Sequence, residues 1–174
     1  MSESPKVGIV MGSDSDYEIM AEAAKALKEF DVPFEMIVAS AHRSPERAGT
    51  WARTARERGI TCLIAGAGAA AHLAGVLAAE TTLPVIAVPI DATALNGMDA
   101  LLAMVQMPAG IPVATMAVGK AGARNAGLLA VQMLSVTDAG IADKLDTFKA
   151  KMASGVEEKS ARLQQRMQQD GLCN

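Results

Sequence analysis

Five short runs of the chain are apolar almost without interruption: VGIVM (7–11), FEMIVAS (34–40), CLIAG (62–66), PVIAVPI (84–90) and PVATMAV (112–118). A strand with one solvated face alternates apolar and polar residues. Continuous runs instead fit strands covered on both faces, as in a parallel sheet between helix layers. The stretches between the runs carry helical spacing. In 17–30, Tyr17, Met20, Ala23, Ala24 and Leu27 share one face, while Glu18, Glu22, Lys25 and Lys28 fall elsewhere. Segments 45–58, 70–80, 98–106 and 122–136 are expected to be helical too. Strand and helix alternate, which predicts an α/β fold with right-handed crossovers. Five such units favour the strand order 2-1-3-4-5, a three-layer αβα sandwich. From Asp138 onward there is no strand signal. The segment EEKSARLQQRMQQ (157–169) is polar, with Val156, Leu163 and Met167 spaced as a thin stripe. One domain over 1–174 is expected, with a core at about 6–136 and a helical tail at about 138–170. The tail either lies in solvent or reaches onto another subunit.

Composition narrows the function. The chain has 174 residues, 51% apolar and 20% charged, enough for one full core and too few for two ordinary domains. Aromatics make up 3%, so a bound ring system finds few side chains to stack on. The net charge is −3 with no basic cluster, which argues against nucleic acid or an anionic membrane as the main partner. Cys62 falls within an apolar run and reads as a small buried hydrophobe. Cys173 is penultimate, and neither belongs to a metal or disulfide pattern. The start MSESPK lacks the features of a secretory signal, and no apolar run is long enough to span a membrane. A soluble cytoplasmic protein is the expectation.

In an open parallel sheet, ligands bind beyond the carboxyl ends of the strands, near the point where strand order reverses. Three loops leave such ends. In MGSDSD (11–16), Gly12 permits a tight turn, and Ser13 and Ser15 place hydroxyls beside the free N–H groups of a helix start. That arrangement can hold a phosphate. Ser13-x-x-Asp16 is equally a capping box that needs no ligand, and Asp16 could hold a ribose hydroxyl. In SAHRSP (40–45), Ser44 and Pro45 read as an N-cap and first helical residue. Ser40, His42 and Arg43 have no such explanation. An imidazole can give and take a proton near neutral pH, and a guanidinium offers a planar fork to phosphate or carboxylate. The third loop, GAGAAAH (66–72), is nearly devoid of side chains and lets a ligand or another backbone approach closely. It is not a dinucleotide fingerprint. His72, the second of only two histidines, reads as a supporting residue rather than the acid. The stretch QMPAGIP (106–112) is a lid or a connection, and Asp99 faces solvent or caps a helix.

Taken in order, MGSDSD, SAHRSPER, IAGAGAAAHLAG, PVIAVPI and VQMPAGIPVATMAVGKAGARNAGLLA resemble the N5-carboxyaminoimidazole ribonucleotide mutases of purine biosynthesis, from about residue 7 to about 136. That family moves a carboxylate from the exocyclic nitrogen of an aminoimidazole ribonucleotide to ring carbon C4. The resemblance implies flavodoxin-like subunits assembled as a homo-octamer, the C-terminal segment packing on neighbours. It implies no metal, no ATP and no organic cofactor. It places Ser13, Ser15 and Asp16 on the substrate's phosphate and ribose. Ser40, His42 and Arg43 fall in the second substrate loop, Arg43 on the phosphate and His42 at the reacting base. Ala67 and Gly68 line the pocket that encloses the CO2 intermediate. The family's GAGGAAHLPG here reads GAGAAAHLAG. Ala69 is therefore expected to add a methyl close to the CO2 pocket and forbid a glycine-only conformation, and Ala74 to remove a rigid turn or helix-start residue. The nearest rival is the related carboxylase that uses free CO2, whose second loop reads SAHK. A non-enzymatic flavin-binding module is the rival of another class, and the scarcity of aromatics counts against it.

Overall fold

The computed structural model describes residues 4–172. Five parallel strands, β1 (Val7–Met11), β2 (Phe34–Val38), β3 (Cys62–Ala67), β4 (Val85–Pro89) and β5 (Ala114–Thr115), form one sheet in the order β2-β1-β3-β4-β5. The expected α/β architecture and strand order are both present. β1, β3 and β4 are buried along their whole length, which is what their continuous apolar sequences require. β2 lies at the edge and is only half-buried. Cys62 starts β3 and is buried, and desolvation pushes its thiol up to about 11. Cys173 lies outside the described residues.

Helices follow the strands: α1 (Tyr17–Glu29), α2 (Pro45–Arg53), α3 (Leu73–Glu80), α4 (Met98–Val105) and α5 (Lys120–Ser135). Met20, Ala23, Ala26 and Leu27 are the buried face of α1. Tyr17, expected on that face, is more than half exposed instead, because it opens the helix at its solvent end. α2 is shorter than expected: it stops at Arg53, and residues 56–58 form a separate single turn ending at left-handed Gly59. β5 is also shorter than the 112–118 run. As an edge strand it is paired on one side only, and just Ala114 and Thr115 keep regular register with Ile86 and Ala87. The ladder continues loosely, with the Met116 and Gly119 N–H groups donating to Ala87 and Pro89.

The chain divides into two compact units, residues 4–134 and residues 135–172. The second contains α6 (Ala139–Gln169), a 31-residue helix whose N-cap Asp138 accepts from the Ile141 N–H at 3.1 Å. Met152, Val156 and Leu163 are exposed along it. Among the described residues, no helix is long and apolar enough to cross a membrane.

Register brings the loops together. Met11 at the end of β1 pairs with Val38 of β2 on one side and Gly66 of β3 on the other. Beyond the strands, Ala39 N–H donates to Met11, Gly12 N–H to Gly66 and Ile90 N–H to Ala67. The segments that leave β1, β2, β3 and β4 therefore emerge side by side. The strand order reverses between β1 and β3, so these segments surround the switch point.

Candidate active site

One cleft of about 440 Å³ opens at this switch point. Ser13, Ser15, Asp16, Ser40, His42, Arg43, Ala67 and Gly68, singled out from three separate stretches of sequence, all line it. Ala41, Ala69, Ala70, Leu73 and Ala92 complete the wall. A somewhat larger cleft, about 560 Å³, lies at the opposite end of the sheet around Pro84 and Pro112. No titratable side chain lines it, and a third, more open cleft beside Trp51 has its Arg58 and Glu35 paired with each other, so the switch-point cleft is the candidate.

The first loop is built as a capping box. Ser13 N–H donates to Asp16 Oδ2 at 3.2 Å, and Ser15 N–H donates to Ser13 Oγ at 3.3 Å. Ser15 Oγ donates to Ser13 Oγ at 2.9 Å. The structural alternative for this loop is thus realised, and its hydroxyls still border the cleft. Asp16 is the buried charged residue of the site. Burial raises its carboxyl above the ordinary value; the bond from Ser13 N–H and the Arg43 charge pull the other way and do not win.

The second loop is a tight turn over residues 41–43 held by Ser40, whose Oγ accepts from the N–H groups of His42 (3.3 Å) and Arg43 (3.1 Å). Arg43 reaches across to the first loop, donating from Nη2 to the Gly12 carbonyl at 3.2 Å. The guanidinium is therefore fixed between the two loops that border the cleft.

The third loop supplies what sequence reading did not find. His72, the N-cap residue of α3, places its Nδ1 3.0 Å from His42 Nε2, with the rings edge-to-face. One ring must donate and the other accept, so a proton lies between them; charging both rings would set two donors against each other. Thirty residues separate the histidines in sequence. No spacing rule reaches that far, and only β1–β3–β2 register joins them.

Ala69 is outside the left-handed region, and the residue with positive φ in this loop is Ala70, at +46°. A non-glycine residue there carries backbone strain. His72 N–H donates back to the Ala70 carbonyl at 2.7 Å, so this bend sets the start of α3. Ala74 is the second residue of α3 and is fully buried in the core. Gly68 is required by close approach: a Cβ added there would lie 2.4 Å from Ala92 Cβ. Asp99 is in the first turn of α4, where its carboxylate accepts from Thr93 Oγ1 at 3.0 Å. Among the described residues, no cluster of three or more His, Cys, Asp or Glu is placed to hold a metal ion.

The structure is a doubly wound α/β domain with a histidine pair, an arginine and a capped serine loop at its switch point. Comparison with known proteins shows its family. The family model described as AIR carboxylase matches residues 6–155. The N5-carboxyaminoimidazole ribonucleotide mutase of Bacillus subtilis is 57% identical over 91% of this chain and 98% of its own. The enzyme of the same name from Pyrococcus horikoshii is 55% identical over 94% of this chain and 92% of its own. The crystal structure of Treponema denticola PurE superposes with a TM-score of 0.82 at 27% identity, covering 91% of this chain and 98% of that one. The chain belongs to the AIR carboxylase family and is an enzyme of it.

Proposed function

We propose that this protein is an N5-carboxyaminoimidazole ribonucleotide mutase of purine biosynthesis, with His42 as its general acid and base. The observation that carries the reading is convergence: the His42–Arg43 pair and the Ser13/Ser15 loop, from separate stretches of sequence, border one cleft whose remaining wall is mostly alanine and glycine. Arg43, held against the Gly12 carbonyl, and the Ser13/Ser15 loop form the phosphate end, and Asp16 takes a ribose hydroxyl. The base then lies toward His42.

The reaction breaks the bond between the exocyclic nitrogen and the carboxylate. The electron pair stays on nitrogen, which takes a proton from the protonated His42 ring, and CO2 is released. C4 then attacks CO2, and the C4 proton passes to the now neutral His42, which restores the starting state. One imidazole serves both steps because the two atoms are neighbours on the substrate. The small apolar wall of Ala67, Gly68, Ala69, Ala70 and Ala92 presents no nucleophile to CO2. His72 orients the ring of His42 by their 3.0 Å contact. As the second half of this reading the enzyme is a cytoplasmic homo-octamer, and the exposed stripe on α6 supports packing of the C-terminal helix on a neighbouring subunit.

The test offers the purified protein two substrates without metal or ATP. N5-carboxyaminoimidazole ribonucleotide is expected to give the C4 carboxylate rapidly; aminoimidazole ribonucleotide with modest bicarbonate is not. Efficient turnover in the second arm would move the assignment to a carboxylase using free CO2. His42→Asn is expected to abolish turnover while the nucleotide still binds.

A further inference from the structure

Ser44 occupies the N-cap position of α2, directly before Pro45 at the first helical position. A serine there ordinarily turns its hydroxyl onto the free N–H groups of the first turn. Ser44 does not: its side chain makes no capping bond. Its hydroxyl points backwards along the chain, accepting from Ser40 N–H at 2.9 Å and donating to the Ser40 carbonyl at 3.2 Å. Ser44 N–H donates to that same carbonyl at 3.0 Å. Both backbone polar groups of Ser40 are thus tied to Ser44. The Ser40 hydroxyl in turn accepts from the N–H groups of His42 and Arg43. The result is a closed ring of hydrogen bonds around residues 40–44, with His42 and Arg43 projecting from it. A helix start that leaves its own cap unmade is a local departure from the rule, and such departures are expected where a site needs them.

We propose that Ser44 is a positioning residue: its hydroxyl forgoes the helix cap to hold Ser40, and through Ser40 it sets the place of His42 and Arg43 in the cleft. The proposal rests on the acid–base reading of His42, and the experiment separates the two. Ser44→Ala removes the hydroxyl without removing any bond within α2, and Ser44→Thr keeps it. Ser44→Ala is expected to lose about tenfold in kcat, the cost of a loosened catalytic loop, with only a small fall in melting temperature from the two lost bonds to Ser40. Ser44→Thr is expected to restore kcat. A capping role alone predicts the opposite pattern, a lower melting temperature with kcat intact, and that result overturns the proposal. Unchanged kcat and melting temperature in Ser44→Ala overturn it too. His42→Asn is assayed alongside. Its inactivity together with full activity in Ser44→Ala defeats the Ser44 proposal alone, whereas retained turnover in His42→Asn defeats the acid–base reading and the Ser44 proposal with it.

Discussion

Gly68→Ala is a one-methyl change whose cost is readable from the structure. The added Cβ would meet Ala92 Cβ at 2.4 Å, with Ile90 O at 3.3 Å and Ala92 Cα at 3.6 Å. Two carbons rest about 3.5–4.0 Å apart, so the loop after β3 and the segment after β4 must separate by more than about 1 Å. The backbone of Gly68 is outside the left-handed region, so the penalty is steric rather than conformational. Overpacking of this kind costs about 1–3 kcal/mol of stability. The larger effect falls on turnover, because Ala67, Gly68, Ala69 and Ala92 together form the small-residue wall of the cleft. A shift of about 1 Å near reacting atoms can cost about 100-fold in rate. The clash also specifies its own remedy. In Gly68→Ala/Ala92→Gly the 2.4 Å contact disappears and the remaining approaches are tolerable, so both stability and turnover should return most of the way. Urea unfolding and initial rates on the four members of the cycle give the coupling energy, expected at about 1–2 kcal/mol in stability. Gly68→Ala with wild-type turnover, or a double variant no better than the single one, would refute the close-approach argument.

Three further outcomes follow from the same geometry. His72→Asn removes one solvent-exposed hydrogen bond to His42, worth about 0.5–1.5 kcal/mol, so kcat should fall by about two- to twelvefold rather than vanish, measured by steady-state turnover. Asp16→Asn keeps an oxygen to accept from Ser13 N–H but carries no charge. Burial raises the Asp16 carboxyl, so the folded state holds its proton longer than the unfolded one. Wild-type stability must then decline as pH rises from the ordinary aspartate range through the raised value. The variant should lack that decline in a melting-temperature series against pH, while its KM for the nucleotide rises about tenfold or more. Met20→Ala empties a fully buried site beneath Gly66 of β3 and should cost about 2–5 kcal/mol in urea unfolding.

What was legible in the sequence was whatever local pattern controls. Continuous apolar runs announce buried parallel strands because side chains on both faces must be covered, and β1, β3 and β4 obey. The cleft residues were legible because loops at strand ends hold functional groups where a parallel sheet opens. Misjudgements came where tertiary packing overrides the local pattern. The run 112–118 has strand composition, but an edge strand followed closely by α5 keeps regular register only at Ala114 and Thr115. The left-handed turn at Ala70 was not foreseen, because the spacing of small residues does not mark which one takes a positive φ.

The same distinction explains why the histidine pair and the hydrogen bonds of Ser44 were hidden. His42 and His72 meet because Met11 of β1 is flanked by Val38 and Gly66, a matter of strand register that no motif encodes. Ser44 carried the sequence signature of an N-cap and sits at that position, so residue type and place were both correct while its hydrogen bonds were not. A serine hydroxyl has one proton to give and two lone pairs, and two directions were open to it: forward into α2 or back to Ser40. Forward would stabilise a helix that Pro45 already starts. Back fixes a turn that carries both an imidazole and a guanidinium toward one cleft. The direction taken favours the geometry of the loop over the stability of the helix, which is what the proposed positioning role of Ser44 requires.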